Sequence, residues 1–131
     1  MRTQPQEVIA KLEADNSRLA KEAILQEAFN EGLPEFFEGC RMALDALVTF
    51  GVKQVPERSD VLTGQGLSWL VFKELADKLQ NRELTGHAAR DAIELAMGVA
   101  TTEQWNGWYR RILIKDLRCG VSEKTVNKVA P

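Results

Sequence analysis

Apolar residues recur at helical spacing through nearly every stretch of this chain, and at strand spacing almost nowhere. In "LPEFFEGCRMALDALVTF", Phe36, Phe37, Cys40, Ala43, Leu44 and Leu47 form an i, i+3, i+4, i+7 stripe. "RLAKEAILQEAF" places Ile24, Leu25 and Phe29 on one face, and "LSWLVFKELADKL" places Leu67, Leu70, Val71, Leu75 and Leu79 at core spacing. "VKQV" is the one weak strand candidate. Helices that are apolar on one side must bury that side against each other. The expectation is therefore an all-α fold. The length of 131 residues suits one compact multi-helix domain of about six to eight helices.

Punctuation divides the helices. Pro5 and Pro34 suit first helical turns, and Gly32 breaks the second helix. Asp15, Asn16 or Ser17 can cap that second helix, and Ser68 can cap a later one. Thr85, Thr101 and Ser122 each open a further helix. The one starting at Thr101 is expected to run through "TEQWNGWYRRILIKDL" until Gly120 ends it. Residues 50–66, "FGVKQVPERSDVLTGQG", form one long irregular connection with three glycines and a proline. Connections of that length are often functional. Trp69 and Phe72 are assigned to the core, as are Trp105, Trp108 and Tyr109 in preference to base stacking.

Enzymatic classes fit poorly. His87 is the single histidine, and no HExxH, GxSxG, GxGxxG or GxxxxGK[ST] pattern occurs. Carboxylates in "ELAD" and "RDAIE" read as solvated helix faces, and no metal site is specified. Cys40 and Cys119 have no metal or CxxC spacing and read as reduced thiols of a cytosolic protein. No run approaches a membrane span, and the acidic N-terminus lacks the apolar core of a signal peptide.

Charge is uneven. Residues 1–60 hold seven Lys/Arg against eleven Asp/Glu, whereas from Asn106 onward six cations face two anions. A local positive patch attracts a polyanion whatever the total of −2. Arg111, Lys115 and Arg118 are expected to share a helical face at i, i+4, i+7, and Lys124 and Lys128 another at i, i+4. Two glycine-led helix starts sit among these cations. One is Thr85, Gly86 and His87, flanked by Arg82 and Arg90; the other is Gly120, Val121 and Ser122. Free N–H groups at a helix start favour phosphate, so both fit grips on a nucleic-acid backbone without base specificity, with ordinary capped helices and solvated lysines as the other reading of the pattern.

The same residues carry a family resemblance. "LTGHAA" (residues 84–89), then "DLRCGVS" (116–122), then "NKV" (127–129) and Pro131 resemble the N-terminal DNA-binding domain of ATP-dependent DNA ligases, T-even phage type. The likeness extends more loosely over "KEAILQEAFNEGLPEFFEGCRMALDAL" and "VKQVP". It implies an all-helical domain, residues 1–131, that closes over nicked duplex DNA through minor-groove and phosphate contacts, serving replication and repair. Thr85, Gly86, His87, Gly120, Val121 and Ser122 carry over by motif. Arg82, Arg90, Lys115, Arg118, Lys124 and Lys128 join them on charge. The family's pattern has asparagine where this chain has His87.

The resemblance also implies what lies elsewhere. The adenylated lysine of a K-x-D-G motif, with ATP and Mg²⁺, belongs to nucleotidyltransferase and OB domains that are not in this chain. Lys115–Asp116 in "IKDL" lacks both the spacing and the glycine. The chain alone is thus expected to be non-catalytic and to need no cofactor. Its expected partners are nicked duplex, the ligase's own catalytic domain and a sliding clamp, in a bacterial host's cytoplasm or nucleoid. An interaction module docking on the clamp through the 50–66 loop is the alternative reading.

Overall fold

The computed structural model describes residues 3–52, 54–59 and 64–131. All regular structure among them is helical. Helix α1 (Pro5–Ala14) is followed by α2 (Arg18–Glu31), α3 (Pro34–Leu44), α4 (Trp69–Gln80) and α5 (Gly86–Val99). Then come α6 (Thr102–Gln104), a π-helical turn (Trp105–Tyr109), α7 (Arg110–Leu113) and α8 (Glu123–Val129). The α6–π–α7 rod lies at the centre, against α1 on one side and α3 on another.

Most helix limits follow the chemistry of the caps. Ser17, Ser68, Thr101 and Ser122 each accept a backbone N–H from inside their helix, and Gly32 closes α2 in the left-handed region. Thr85 sits at the N-cap of α5, but its side chain makes no capping bond. The core is aromatic and tight. Phe36 stacks on Trp108 at 5.4 Å, and Phe72 on Tyr109 at 4.4 Å. Gly39 lets α3 approach the rod: a Cβ there would lie 2.4 Å from the Trp108 ring.

Three expectations are corrected. Leu47 is 91% exposed because α3 stops at Leu44. Leu70 and Val71 face outward from α4, and Phe29 is half exposed on α2; Leu25, Leu67 and Leu79 are buried as expected. The largest departure is the rod, which ends at Leu113. Arg111, Lys115 and Arg118 therefore do not share a helical face. Lys115 has φ 58° and Arg118 φ 53°, so the chain turns away before reaching either position.

No strand occurs among the described residues; Val52, Gln54 and Val55 of "VKQV" are irregular, and Lys53 lies outside them. The long connection is stapled to the rod. Trp105 Nε1 donates to Pro56 O at 2.9 Å, and Arg110 Nε to Val55 O at 2.7 Å. Asn106 exchanges two bonds with the Arg58 backbone, and Tyr109 Oη donates to Leu67 O at 2.6 Å. Arg58 itself reaches the carbonyls of Met97, Gly98 and Ala100 at the end of α5. The π turn widens the helix where these side chains leave it. Residues 60–63 lie outside the described residues.

Candidate nucleic-acid interface

The first glycine turn joins α4 to α5. Asn81 caps α4, Arg82 N–H returns to Leu79 O at 3.2 Å, and Glu83 N–H returns to Lys78 O at 2.9 Å. This is the Schellman pattern, with Arg82 at φ 62° where glycine is usual. Thr85, Gly86, His87 and Arg90 are all exposed. Gly86 has φ 56°, and nothing lies within 4 Å of where its Cβ would be, so the turn is open at its glycine. Gly86, Ala89 and Arg90 border a concavity of about 280 Å³ with Gly51, Val52, Gln54 and Pro56 on its other wall. Glu94 lines it too and offsets part of the positive charge.

The second turn joins α7 to α8 and starts in the same way. Lys115 N–H returns to Ile112 O and Asp116 N–H to Arg111 O, each at 3.0 Å, a second Schellman turn with a cation in place of glycine. Arg118, again left-handed, takes its backbone N–H to Asp116 Oδ1 at 3.1 Å, with its guanidinium 3.5 Å from the other carboxylate oxygen. Gly120 follows at φ 69°. Ser122 Oγ accepts Thr125 N–H at 3.3 Å and opens α8. Residues 115–122 and Leu44 line a shallow concavity of about 340 Å³.

The cations divide into two groups. Arg90, Arg118, Lys124 and Lys128 are exposed. Lys128 spans to Glu22 at 3.1 Å, which holds the Glu22 carboxyl below its usual value chiefly through that hydrogen bond. The others are tied to backbone carbonyls, Lys115 and Arg111 half-buried and Arg82 still exposed at the surface. Lys115 Nζ donates to Met42 O at 2.7 Å and Asp45 O at 2.8 Å, and burial lowers its pKa. Arg82 Nη1 donates to Leu79 O at 2.9 Å, and its Nη2 to Thr49 Oγ1 at 2.9 Å. Arg111 bonds Glu13, Leu117 O and Asn106 O.

Lys21 is a buried cation beneath the second turn that its sequence context did not mark. It is 9% exposed, and its ammonium donates to Leu12 O and, at 2.8 Å, to Cys119 O. A Cβ on Gly120 would lie 3.4 Å from Lys21 Nζ, so the lysine underlies the second turn. The available signal was its spacing: Lys21, Leu25 and Ala28 share the buried face of α2.

Lys115 and Asp116 are adjacent in the second turn. They lack the K-x-D-G spacing, and the Lys115 ammonium is engaged by two carbonyls. No helix among the described residues is long and apolar enough to cross a membrane.

No family model matches the chain, and no curated protein does. Solved structures do match. Pmar-Lig_Pre. shares 60% identity with a TM-score of 0.94, and Pmar-Lig_PreS3 shares 61% with a TM-score of 0.93. Each match covers 98% of this chain and 29% of the solved chain. The chain is thus similar, along almost its whole length, to under a third of these ligase structures, and its all-helical fold is theirs over that part.

Proposed function

We propose that this chain is the DNA-binding domain of an ATP-dependent DNA ligase, holding nicked duplex by its backbone and minor groove without regard to sequence. The observation that carries the reading is the pair of exposed glycine turns, open at Gly86 and shallow around Gly120, ringed by Arg90, Arg118, Lys124 and Lys128. Backbone N–H groups and point-like cations position a duplex but do not read bases. The likeness to part of two ligase structures supports the same assignment. In such an enzyme, ATP and Mg²⁺ chemistry belongs to the remainder of the protein, and this domain supplies affinity and geometry.

Contacts from Arg90, Arg118, Lys124 and Lys128 set the scale of the electrostatics. With about 0.9 counterions released per phosphate neutralised, the slope of log affinity against log salt is about −3 to −4. The double substitution Arg118→Ala with Lys124→Ala should flatten it by about 2 and weaken unrelated duplex sequences equally. Fluorescence anisotropy across a salt series checks this, and an unchanged slope would show that neither side chain meets phosphate.

A protein-docking role is the second reading. Its support comes from the α4–α5 groove. That groove of about 470 Å³ is lined by Leu67, Val71, Leu75, Leu84, Leu95 and Val99, with Val71 and Leu95 more than half exposed. An exposed apolar groove of this kind fits a protein surface better than DNA. Under this reading a sliding clamp binds the wild type, and Val71→Asp with Leu95→Asp abolishes capture without changing duplex affinity. Absence of clamp binding to the wild type would remove the reading.

A further inference from the structure

We infer that Arg82 and Lys115 are positioning residues that brace both glycine turns against one shared segment, Asp45–Gly51, and do not themselves hold phosphate; this rests on the duplex-binding reading. Among the described residues, the non-glycine positions with positive φ are Arg82, Lys115 and Arg118, all in or beside the two turns. Arg82 and Lys115 each occupy the Schellman position where glycine is unstrained, and each accepts a left-handed backbone that a Cβ disfavours. Strain of this kind persists only where the surroundings over-determine it.

What the strain secures is visible at the side-chain ends. Lys115 Nζ holds the carbonyls of Met42 and Asp45 and lies 5.9 Å from the centre of the Phe50 ring. The carboxylates that face Lys115 are Asp45 and Glu123. Arg82 holds Thr49 through its hydroxyl and carbonyl, at 2.9 and 3.4 Å. Its guanidinium lies where a Cβ on Gly51 would be, 2.6 Å from Nη1.

The anchor points Asp45 and Thr49 are four residues apart, at most about 14 Å of chain. Phe50, one residue beyond Thr49, is buried and Val48 packs against the core, so the segment is fixed at that end. The two turns are therefore referenced to a single short strut, and their separation is set before any ligand arrives. Pre-set geometry of this kind raises affinity by removing ordering costs.

The test uses the full chain with Arg82→Met and Lys115→Met, which keep the stem and remove the donors. Two readouts are taken: amide NMR spectra of the free protein, and anisotropy with fluorescein-labelled nicked duplex over a salt series. Each substitution should lower affinity about tenfold at fixed salt while leaving the salt slope unchanged. Lys115→Met should also shift the amides of residues 85–87, and Arg82→Met those of residues 120–122. Slopes that flatten by about one per substitution, an unchanged affinity, or shifts confined to the substituted turn would each overturn the brace. Should the methionine variants fail to fold, Thr49→Val removes the acceptor of Arg82 Nη2 without removing a cation and should lower affinity several-fold at an unchanged salt slope; an unchanged affinity there would also overturn it. Failure of the wild type to bind duplex would sink the binding reading itself, and the NMR arm would still decide whether the turns are coupled.

Discussion

At Lys21 an ammonium is buried beneath the second turn, held by two backbone carbonyls. Replacing it with methionine keeps the bulk but leaves Leu12 O and Cys119 O without this donor. Unfolding in urea should show a loss of about 1–3 kcal/mol. Gly39→Ala tests close packing in the same way, because a methyl group would enter the Trp108 ring position. That overpacking should cost about 1–3 kcal/mol, read as a lower midpoint. Titratable groups add a pH dependence. Burial raises the thiol pKa values of Cys40 and Cys119, and raises the Tyr109 hydroxyl to about 12. Groups raised on folding favour the native state below their unfolded pKa and lose that contribution as pH climbs toward the folded value. Stability should therefore hold near neutrality and decline from about pH 9 upward. Lys115, lowered by burial, acts in the opposite sense as it loses its proton, and reduces part of the decline. An unfolding free energy that rises between pH 9 and 11 would contradict the burial of these groups.

Among the elements, the helix starts were the most legible part of the sequence, because Ser17, Ser68, Thr101 and Ser122 carry the chemistry that caps a helix. Their ends were harder to read. The stop at Leu113 is a Schellman turn with lysine in the glycine position, so the usual marker is absent and the helical spacing in the sequence runs on through Arg118. That single misreading created a basic helical face that does not exist. It also concealed that Lys115 points inward. Caps offer a direct comparison. Thr101→Ala removes a bond to Gln104 N–H and should cost about 1 kcal/mol, whereas Thr85→Ala removes none and should leave the thermal midpoint unchanged. Equal losses in the two variants would show that Thr85 caps α5 in solution. A weaker duplex affinity in Thr85→Ala at unchanged stability would place its hydroxyl at the phosphate.

For the molecule as a whole, the all-helical class and the aromatic core were readable from period and composition. The arrangement of the cations was not. Charge counting weighs Arg82, Arg90, Lys115, Arg118, Lys124 and Lys128 alike, yet hydrogen bonds to backbone carbonyls set Arg82 and Lys115 apart from the other four. Sequence spacing cannot report this separation, because the carbonyls that hold Arg82 and Lys115 include those of a segment more than thirty residues away. The central claim is that the exposed cations and the two glycine turns grip a duplex by its phosphates. The most direct measurement is anisotropy of two unrelated nicked duplexes titrated with the wild-type chain between 50 and 200 mM salt, about the range over which phosphate-driven binding collapses. The account predicts near-equal affinities for the two sequences and a log–log slope of about −3 to −4. Salt-insensitive binding, strong preference for one sequence, or no binding at the lowest salt would contradict it.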